Sequence, residues 1–403
     1  MIQATRRLFD EDPYQFEFHA RVIGSSDEED RFGIVLDQTQ FYPESGGQPA
    51  DTGAIMNLPV LHVFERDHQI VHILEQSIPV HTDVKGKVDA DRRFDHMQQH
   101  TGQHILSQVF IQIHHAETIG FHLGQEFSTL DLNVSGLEER DIGDVEKRVN
   151  EIITQNRAVH VHSATQAELS KYPLRKPPKT EGPVRIVEVE GFDWSGCCGT
   201  HVRRTGEIGL LKILRWEKYK GGSRITFLCG NRCLEHYQNT YQIIRQLSRI
   251  LSTGVMDLPA TAEQLQADRK QMSKKIEALQ EQVLTNEASV LLDQAIQRGP
   301  VRLIVKCFDN RDTKSVQGLA RLLVKSNSVV AVLCVQSDPV FVCAARSENV
   351  RLDIRPFIEK VRVLVQGNGG GNAGFGQVSG IDGRNLDKVL ALGDALYSEE
   401  DDS

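Results

Sequence analysis

Phe94-Asp95-His96-Met97-Gln98-Gln99-His100-Thr101-Gly102-Gln103-His104-Ile105-Leu106 sets histidines at intervals of four. On an α-helix, residues four apart lie on one face, one turn above another. His96, His100 and His104 therefore form a stripe that drifts by roughly 40° per step. Phe94, Ile105, Leu106 and Val109 point the other way, into a core. Far downstream, Cys197-Cys198-Gly199-Thr200-His201 repeats the four-residue interval with a thiol. Two imidazoles from the helix, with a thiolate and an imidazole from the turn, make a donor set suited to a borderline-soft ion such as Zn2+. Gly196 and Gly199 let the backbone bend tightly enough to bring Cys197 and His201 to one ion.

Upstream of the helix, polar and apolar residues roughly alternate over Phe16 to Gly24, Phe32 to Asp37, Ile55 to Glu65, Gln69 to Leu74 and Val84 to Val88. That period predicts short strands, closing as a small β-barrel or sandwich. Among them lies Phe41-Tyr42-Pro43-Glu44-Ser45-Gly46-Gly47-Gln48-Pro49-Ala50-Asp51-Thr52-Gly53, whose prolines and glycines predict a loop. Downstream of the helix, Ile142 to Gln155 reads as a second helix among mixed strands.

Two stretches mix cations with ring-bearing residues. Arg175, Lys176 and Lys179 stand among four prolines between Tyr172 and Arg185, and Arg215 to Arg224 interleaves Trp216 and Tyr219 with Lys218, Lys220 and Arg224. Such mixtures hold phosphate and stack bases, or form plain solvated loops. Cys233 to Leu251 and Ala260 to Arg298 read as helices. In the second, Leu265, Met272, Ile276, Leu279, Val283 and Val290 follow heptad-like spacing, as in a coiled-coil arm or a helix packed on its own domain. Buried-strand runs at Val301 to Cys307 and Ser328 to Gln336 flank a helix over Thr313 to Lys325, and Pro339 to Ala345 reads as a further strand. These predict a separate α/β domain. Its last helix, on the Ile354, Phe357, Ile358, Val361, Leu364, Val365 face, runs into Gly367 to Gly376. The letters Gly369-x-Gly371-x-x-Gly374 match a dinucleotide fingerprint, but that motif must follow a strand and open a helix. A phosphate-binding backbone nest or a plain loop is expected instead.

With 403 residues and 39% hydrophobic content, the chain accommodates two or three globular domains. Its apolar runs are too short for a membrane helix and its N-terminus has no secretory core. Seven cysteines, mostly single and in apolar contexts, predict a reducing cytoplasm. The net charge of −9 argues against coating nucleic acid by bulk charge, and leaves local basic patches open. Ser398 to Ser403 is expected to be a solvated acidic tail.

Three motifs now carry a resemblance: His100-Thr101-x-x-His104-Ile105-Leu106; Cys197-x-Gly199-Thr200-His201-Val202 with Thr205-Gly206-Glu207-Ile208-Gly209; and Phe41 to Gln48 with Asp51-x-Gly53. Together they resemble the editing domain of alanyl-tRNA synthetases, and more closely its free-standing relatives, the alanyl-tRNA editing (AlaX) proteins. The C-terminal glycine-rich region is similar to the DHHA1 domain of synthetases and long-form editing proteins. The resemblance implies an α+β multidomain chain in four segments. These are a β-barrel-like domain over 1–90, a zinc-binding editing domain over 91–235, a helical or coiled-coil arm over 236–298 and a DHHA1-like α/β domain over 299–403.

It further implies hydrolysis of Ser-tRNA(Ala), and by extension Gly-tRNA(Ala), with His100, His104, Cys197 and His201 holding zinc. Thr39 and Gln48 would line the amino-acid pocket. His96, one turn before the ligands, departs from the four-ligand pattern and would be an outer group or a proton carrier. Lys220, Arg224, Gly369, Gly370 and Gly371 are the candidate tRNA contacts, and a homodimer through the arm and C-terminal domain is expected. Because the sequence opens on the β-rich segment, with no ATP-binding class II motifs, no charging of tRNA is expected. A non-catalytic tRNA-binding module is the rival reading. A two-metal phosphoesterase is disfavoured, since its Asp-His-His signature is missing from the sequence.

Overall fold

A computed structural model describes residues 4–28, 31–177 and 182–397. Lys179 and the acidic tail lie outside the described residues. The chain divides into two units, Met1–Ile250 and Leu251–Ser403.

Seven strands make the main sheet of the first part of this unit: Glu17–Glu28 (β1), Arg31–Leu36 (β2), Gly53–Ile55 (β3), Leu58–Val60 (β4), His62–Arg66 (β5), Gln69–Leu74 (β6) and Asp83–Val88 (β7). Their order in the sheet is β4-β3-β7-β1-β2-β6-β5. Strand β1 serves twice, pairing with β7 through Glu17–Arg21 and with β2 from Val22 on, with a shift in register between Val22 and Gly24. Such an irregularity bends a strand and curls its sheet. Phe18, Val22, Leu36, Ile55, Val63, Leu74 and Val88 fill the concavity, giving a nearly closed, barrel-like sheet.

Helix α1 (Ala90–His114) follows at once. Its Asp89 cap accepts from the Asp91 and Arg92 N–H groups, and His115 ends it in the left-handed conformation at φ 52°. The expected division of faces holds for Ile105, Leu106 and Val109, which are buried against Val145, Val149 and Ile152 of α2 (Glu139–Thr154); Phe94 packs there partly exposed. A four-stranded sheet covers α1. With β8 (Thr118–Leu123), β9 (Ser128–Leu132), β13 (Leu211–Tyr219) and β14 (Gly222–Cys229), its order is β8-β9-β14-β13. The Gln99 amide fixes β14 to the helix by bonding both the N–H and the carbonyl of Cys229, each at 2.9 Å. Between these elements lies a three-stranded antiparallel sheet of β10 (Val159–Ala164), β11 (Val184–Val189) and β12 (Asp193–Gly196). Helix α3 (Asn231–Ile250) ends the unit.

The second unit opens with α4 (Leu258–Asp293). The arm helix was expected to reach Arg298, but Ile296–Arg298 is a short edge strand, β15, turned back at Gly299 onto β16 (Val301–Asp309). Then come α5 (Thr313–Leu323), β17 (Val329–Gln336), β18 (Val340–Arg346), α6 (Arg355–Leu364), β19 (Gly367–Gly371), β20 (Phe375–Gly380) and α7 (Leu386–Asp394). The sheet order is β15-β16-β17-β18-β20-β19. Helices cover both faces: α4 and α5 on one core, α6 and α7 on another. The glycine-rich stretch departs from expectation. Gly369, Gly370 and Gly371 are neither loop nor nest but an extended edge strand paired with β20. Glycine is needed for that close approach, since a Cβ on Gly369 would lie 2.1 Å from the Gln377 carbonyl oxygen.

Candidate metal centre

Helix α1 presents a polar stripe to the protein interior. His96, His100, Thr101 and His104 are all buried, which is costly unless each polar atom finds a partner. The turn after β12 supplies the facing half. Arg185 holds that turn, donating to the carbonyls of Cys197 (2.9 Å) and Gly199 (2.8 Å). The donor atoms of His100, His104, Cys197 and His201 all lie within 4.8 Å of one another, so the group could hold a metal ion.

The ring orientations follow from the surrounding bonds. The Gln48 amide nitrogen donates to Thr200 Oγ1 at 2.9 Å, and its Oε1 accepts the Thr200 N–H. Oε1 is thus the acceptor for His100 Nδ1 at 2.8 Å, which leaves His100 Nε2 bare and 3.4 Å from Cys197 Sγ. Thr101 repeats the logic. Its hydroxyl donates to the Met97 carbonyl, so it accepts from His201 Nδ1 at 3.1 Å, and His201 Nε2 also sits 3.4 Å from the sulfur. A metal requires neutral imidazoles and a thiolate. Burial, with the charge of Arg185, holds His100 neutral by lowering its pKa to about 3. Burial and the neighbouring imidazoles do the same for His201. Burial pushes the Cys197 thiol up, but His104, the Gly199 N–H and Arg185 outweigh it, leaving the thiol below its ordinary range. Gly199 is required sterically, because a Cβ there would lie 2.1 Å from His100 Cε1.

The loop between β2 and β3 reaches the site through Gln48, and Gly47 (φ 87°) lets it lie on β8 with the Leu123 N–H donating to the Gly47 carbonyl. The loop is anchored by a buried ion pair between Arg93 of α1 and Asp51, whose carboxylate also accepts the Tyr42 N–H at 2.7 Å. Thr39 is buried in the same unit. His72 Nδ1 donates to the Ile34 carbonyl, so the Thr39 hydroxyl donates to His72 Nε2 at 2.8 Å and accepts the Phe41 N–H. One lone pair of that oxygen remains. Burial, with the charges of Arg92, Arg232 and Arg93, lowers the His96 pKa to about 3, so it is neutral at pH 7 and a poor proton acceptor.

Lys220 stands in the turn between β13 and β14, over the Tyr219 ring at 5.1 Å. Arg224 lies 3.6 Å over the same ring and is held by both oxygens of Asp131. Gly369, Gly370 and Gly371 belong to the other unit. Sequence reasoning passed over Thr101 and Arg185. Thr101 lies inside the quoted histidine motif, and its spacing one residue after His100 was the available signal. Arg185 carries none, since its partners are backbone carbonyls.

Three buried imidazoles and a half-buried thiol that could hold a metal ion, braced by a glutamine from the loop after β2, make up the candidate site. Residues 184–226 match the family described as the threonyl and alanyl tRNA synthetase second additional domain, and residues 15–92 match class II (A) tRNA synthetases. The chain is 30% identical over 383 residues to the alanyl-tRNA editing protein AlaX-L of Pyrococcus horikoshii, covering 91% of this chain and 92% of that one. It is 30% identical over 353 residues to the alanyl-tRNA editing protein Aarsd1 of Danio rerio, covering 85% and 83%. Against the alanine–tRNA ligase of Pyrococcus abyssi it is 30% identical over 388 residues, but spans only 42% of the ligase. The chain belongs to the alanyl-tRNA editing protein family.

Proposed function

We propose that this protein hydrolyses the ester of tRNA(Ala) mischarged with serine, and also with glycine, at a zinc ion held by His100, His104, Cys197 and His201. The observation that carries the reading is the convergence of these four donors within 4.8 Å in a member of this family. Zinc held by this set would supply Lewis-acid polarisation of the ester or an anchor for the amino group. The chain's own residues do the rest. Gln48 orients His100 and clamps the Thr200 backbone. Thr39, its proton already given to His72, offers a lone pair that accepts a serine hydroxyl and has no partner in alanine. An acceptor left unpaired costs about 1–3 kcal/mol, which is the discrimination such a pocket supplies. His96, buried one turn before His100 on α1, is assigned no proton transfer. Lys220 and the backbone of Gly369, Gly370 and Gly371 are the proposed tRNA contacts, with Arg224 secondary because Asp131 occupies its guanidinium.

The exposed stripe of Leu265, Met272, Ile276, Leu279, Val283 and Val290 on α4 supports a homodimer through the arm. One observation favours the non-catalytic alternative: four protein donors close a tetrahedron, as structural zinc sites do. Incubating the purified protein with Ser-tRNA(Ala), Gly-tRNA(Ala), Ala-tRNA(Ala) and Ser-tRNA(Ser), with and without chelator, separates the two. Release of serine and glycine from tRNA(Ala) alone, lost with the metal, is expected. Bound zinc with no ester turnover establishes the binding module instead.

A further inference from the structure

Each imidazole of the metal group turns Nδ1 away from the common centre, but the three meet different partners. His100 meets a neutral amide oxygen and His201 a neutral hydroxyl. His104 Nδ1 has no hydrogen-bond partner among the described residues, and it faces the Asp193 carboxylate at 3.6 Å. Asp193 is itself buried, and neither of its oxygens has a hydrogen-bond partner among the described residues. A buried carboxylate without partners is expensive, so a compensating arrangement must lie close. Arg175 provides part of it. Its Nη1 lies 3.7 Å from Asp193 Oδ2 and donates to the His104 carbonyl at 3.1 Å, while its Nη2 donates to Ser195 Oγ at 2.7 Å. One guanidinium thus touches the backbone of a candidate ligand on α1 and β12, two residues before Cys197. An ion would supply the rest: the Cys197 thiolate, the Asp193 carboxylate and the Arg175 guanidinium carry a net charge of −1 together, and a divalent ion turns it to +1.

We infer that Asp193 is a positioning residue for His104: with the ion bound, its carboxylate accepts a hydrogen bond from His104 Nδ1–H, aims Nε2 at the ion, and so sets the metal affinity, with the Arg175 guanidinium as the counter-charge it relies on when no ion is bound. The inference rests on the metal-centre reading above. Outer carboxylates on ligand histidines raise the basicity of the ligating nitrogen, and their loss typically lowers metal affinity about 10–100-fold. His104 is then the strongest of the three imidazole donors, since only it is backed by a charge.

The test uses the full chain and zinc alone, with the dissociation constant read by competition against a chromogenic chelator and the apo melting temperature as a control. Asp193→Asn keeps the shape and removes the charge, and is expected to weaken zinc binding by about 10–100-fold. Arg175→Gln leaves the carboxylate without its cation, which penalises the empty site more than the loaded one. That variant is expected to bind zinc at least as tightly as the wild type, with a larger melting-temperature gain on loading. Opposite responses of the two variants support the inference, because a merely structural loss would weaken both. Zinc binding by Asp193→Asn within threefold of wild type overturns it, as does weakening in both variants. Should Asp193→Asn not fold, Arg175→Gln decides alone: equal or tighter binding supports the inference and weaker binding sinks it. A wild-type protein that binds no zinc would instead overturn the metal-centre reading.

Discussion

Helices α1 and α4 invert the usual rule that apolar residues go inside. Helix α1 carries four histidines and five glutamines from Asp95 to His114, yet from His96 to Ser107 every residue is buried. Helix α4 carries a regular apolar stripe, yet Met272 is 64% exposed and Val283 63%. Burial in α1 is sustained by bonding: Gln99 to Cys229, Thr101 to Met97 and His201, His100 to Gln48. Exposure in α4 leaves apolar area in water at about 25 cal/mol per Å2, a standing drive toward a second surface. Polarity alone decides neither fate. What decides is whether each group finds its complement.

The strongest way to break this contrast is to remove a complement in α1's site. Cys197→Ala is expected to abolish both zinc retention, measured by elemental analysis of the purified protein, and release of serine from Ser-tRNA(Ala). Activity that survives complete removal of zinc would count against the whole assignment. Next in size, Asp51→Ala strands the Arg93 guanidinium in the interior. Breaking a buried ion pair on one side costs about 3–5 kcal/mol, to be read from the first unit's unfolding transition in urea.

The buried His72 sharpens the comparison through pH. Burial lowers its pKa to about 4, against an ordinary 6.5 for histidine. A base depressed in the folded state stabilises the fold fully above pH 6.5, and that contribution is lost as pH falls toward 4. The loss is about 3 kcal/mol at most, and His72→Asn should flatten that segment of the stability–pH curve. The smallest effect belongs to α4. Ile276→Glu should change the stability of the monomer by no more than about 0.5 kcal/mol, while converting a dimer to monomer in sedimentation. An unchanged sedimentation coefficient would leave the apolar stripe without its proposed partner.

How much of this was legible beforehand depended on the range of the interaction. The histidine stripe and the Cys197-x-x-x-His201 turn could be read because helix and turn spacing are local. Gln48 was singled out for the substrate pocket, but its bonds to His100 and Thr200 join residues 52 and 152 positions apart, and no local period reports such a pairing. Asp193 and Arg175 were hidden for the same reason. The run Gly367 to Gly371 misled differently. Glycine lacks the side chains by which strands are recognised, so only the partner strand at Phe375–Gly380 reveals its state. The short strand at Ile296–Arg298 was lost inside the periodic tail of α4, where three residues cannot set a period of their own.

Gln48 also bears on how this protein can be taken apart. Residue 90 looks like a natural place to cut, with a sheet before it and a helix after it. Yet the amide that fixes one imidazole and braces the Thr200 turn is donated from the far side of that cut. A fragment starting at Asp91 would keep all four candidate ligands and lose the hand that aims them, so the curled sheet and its loop are a component of the candidate metal centre and not a detachable accessory.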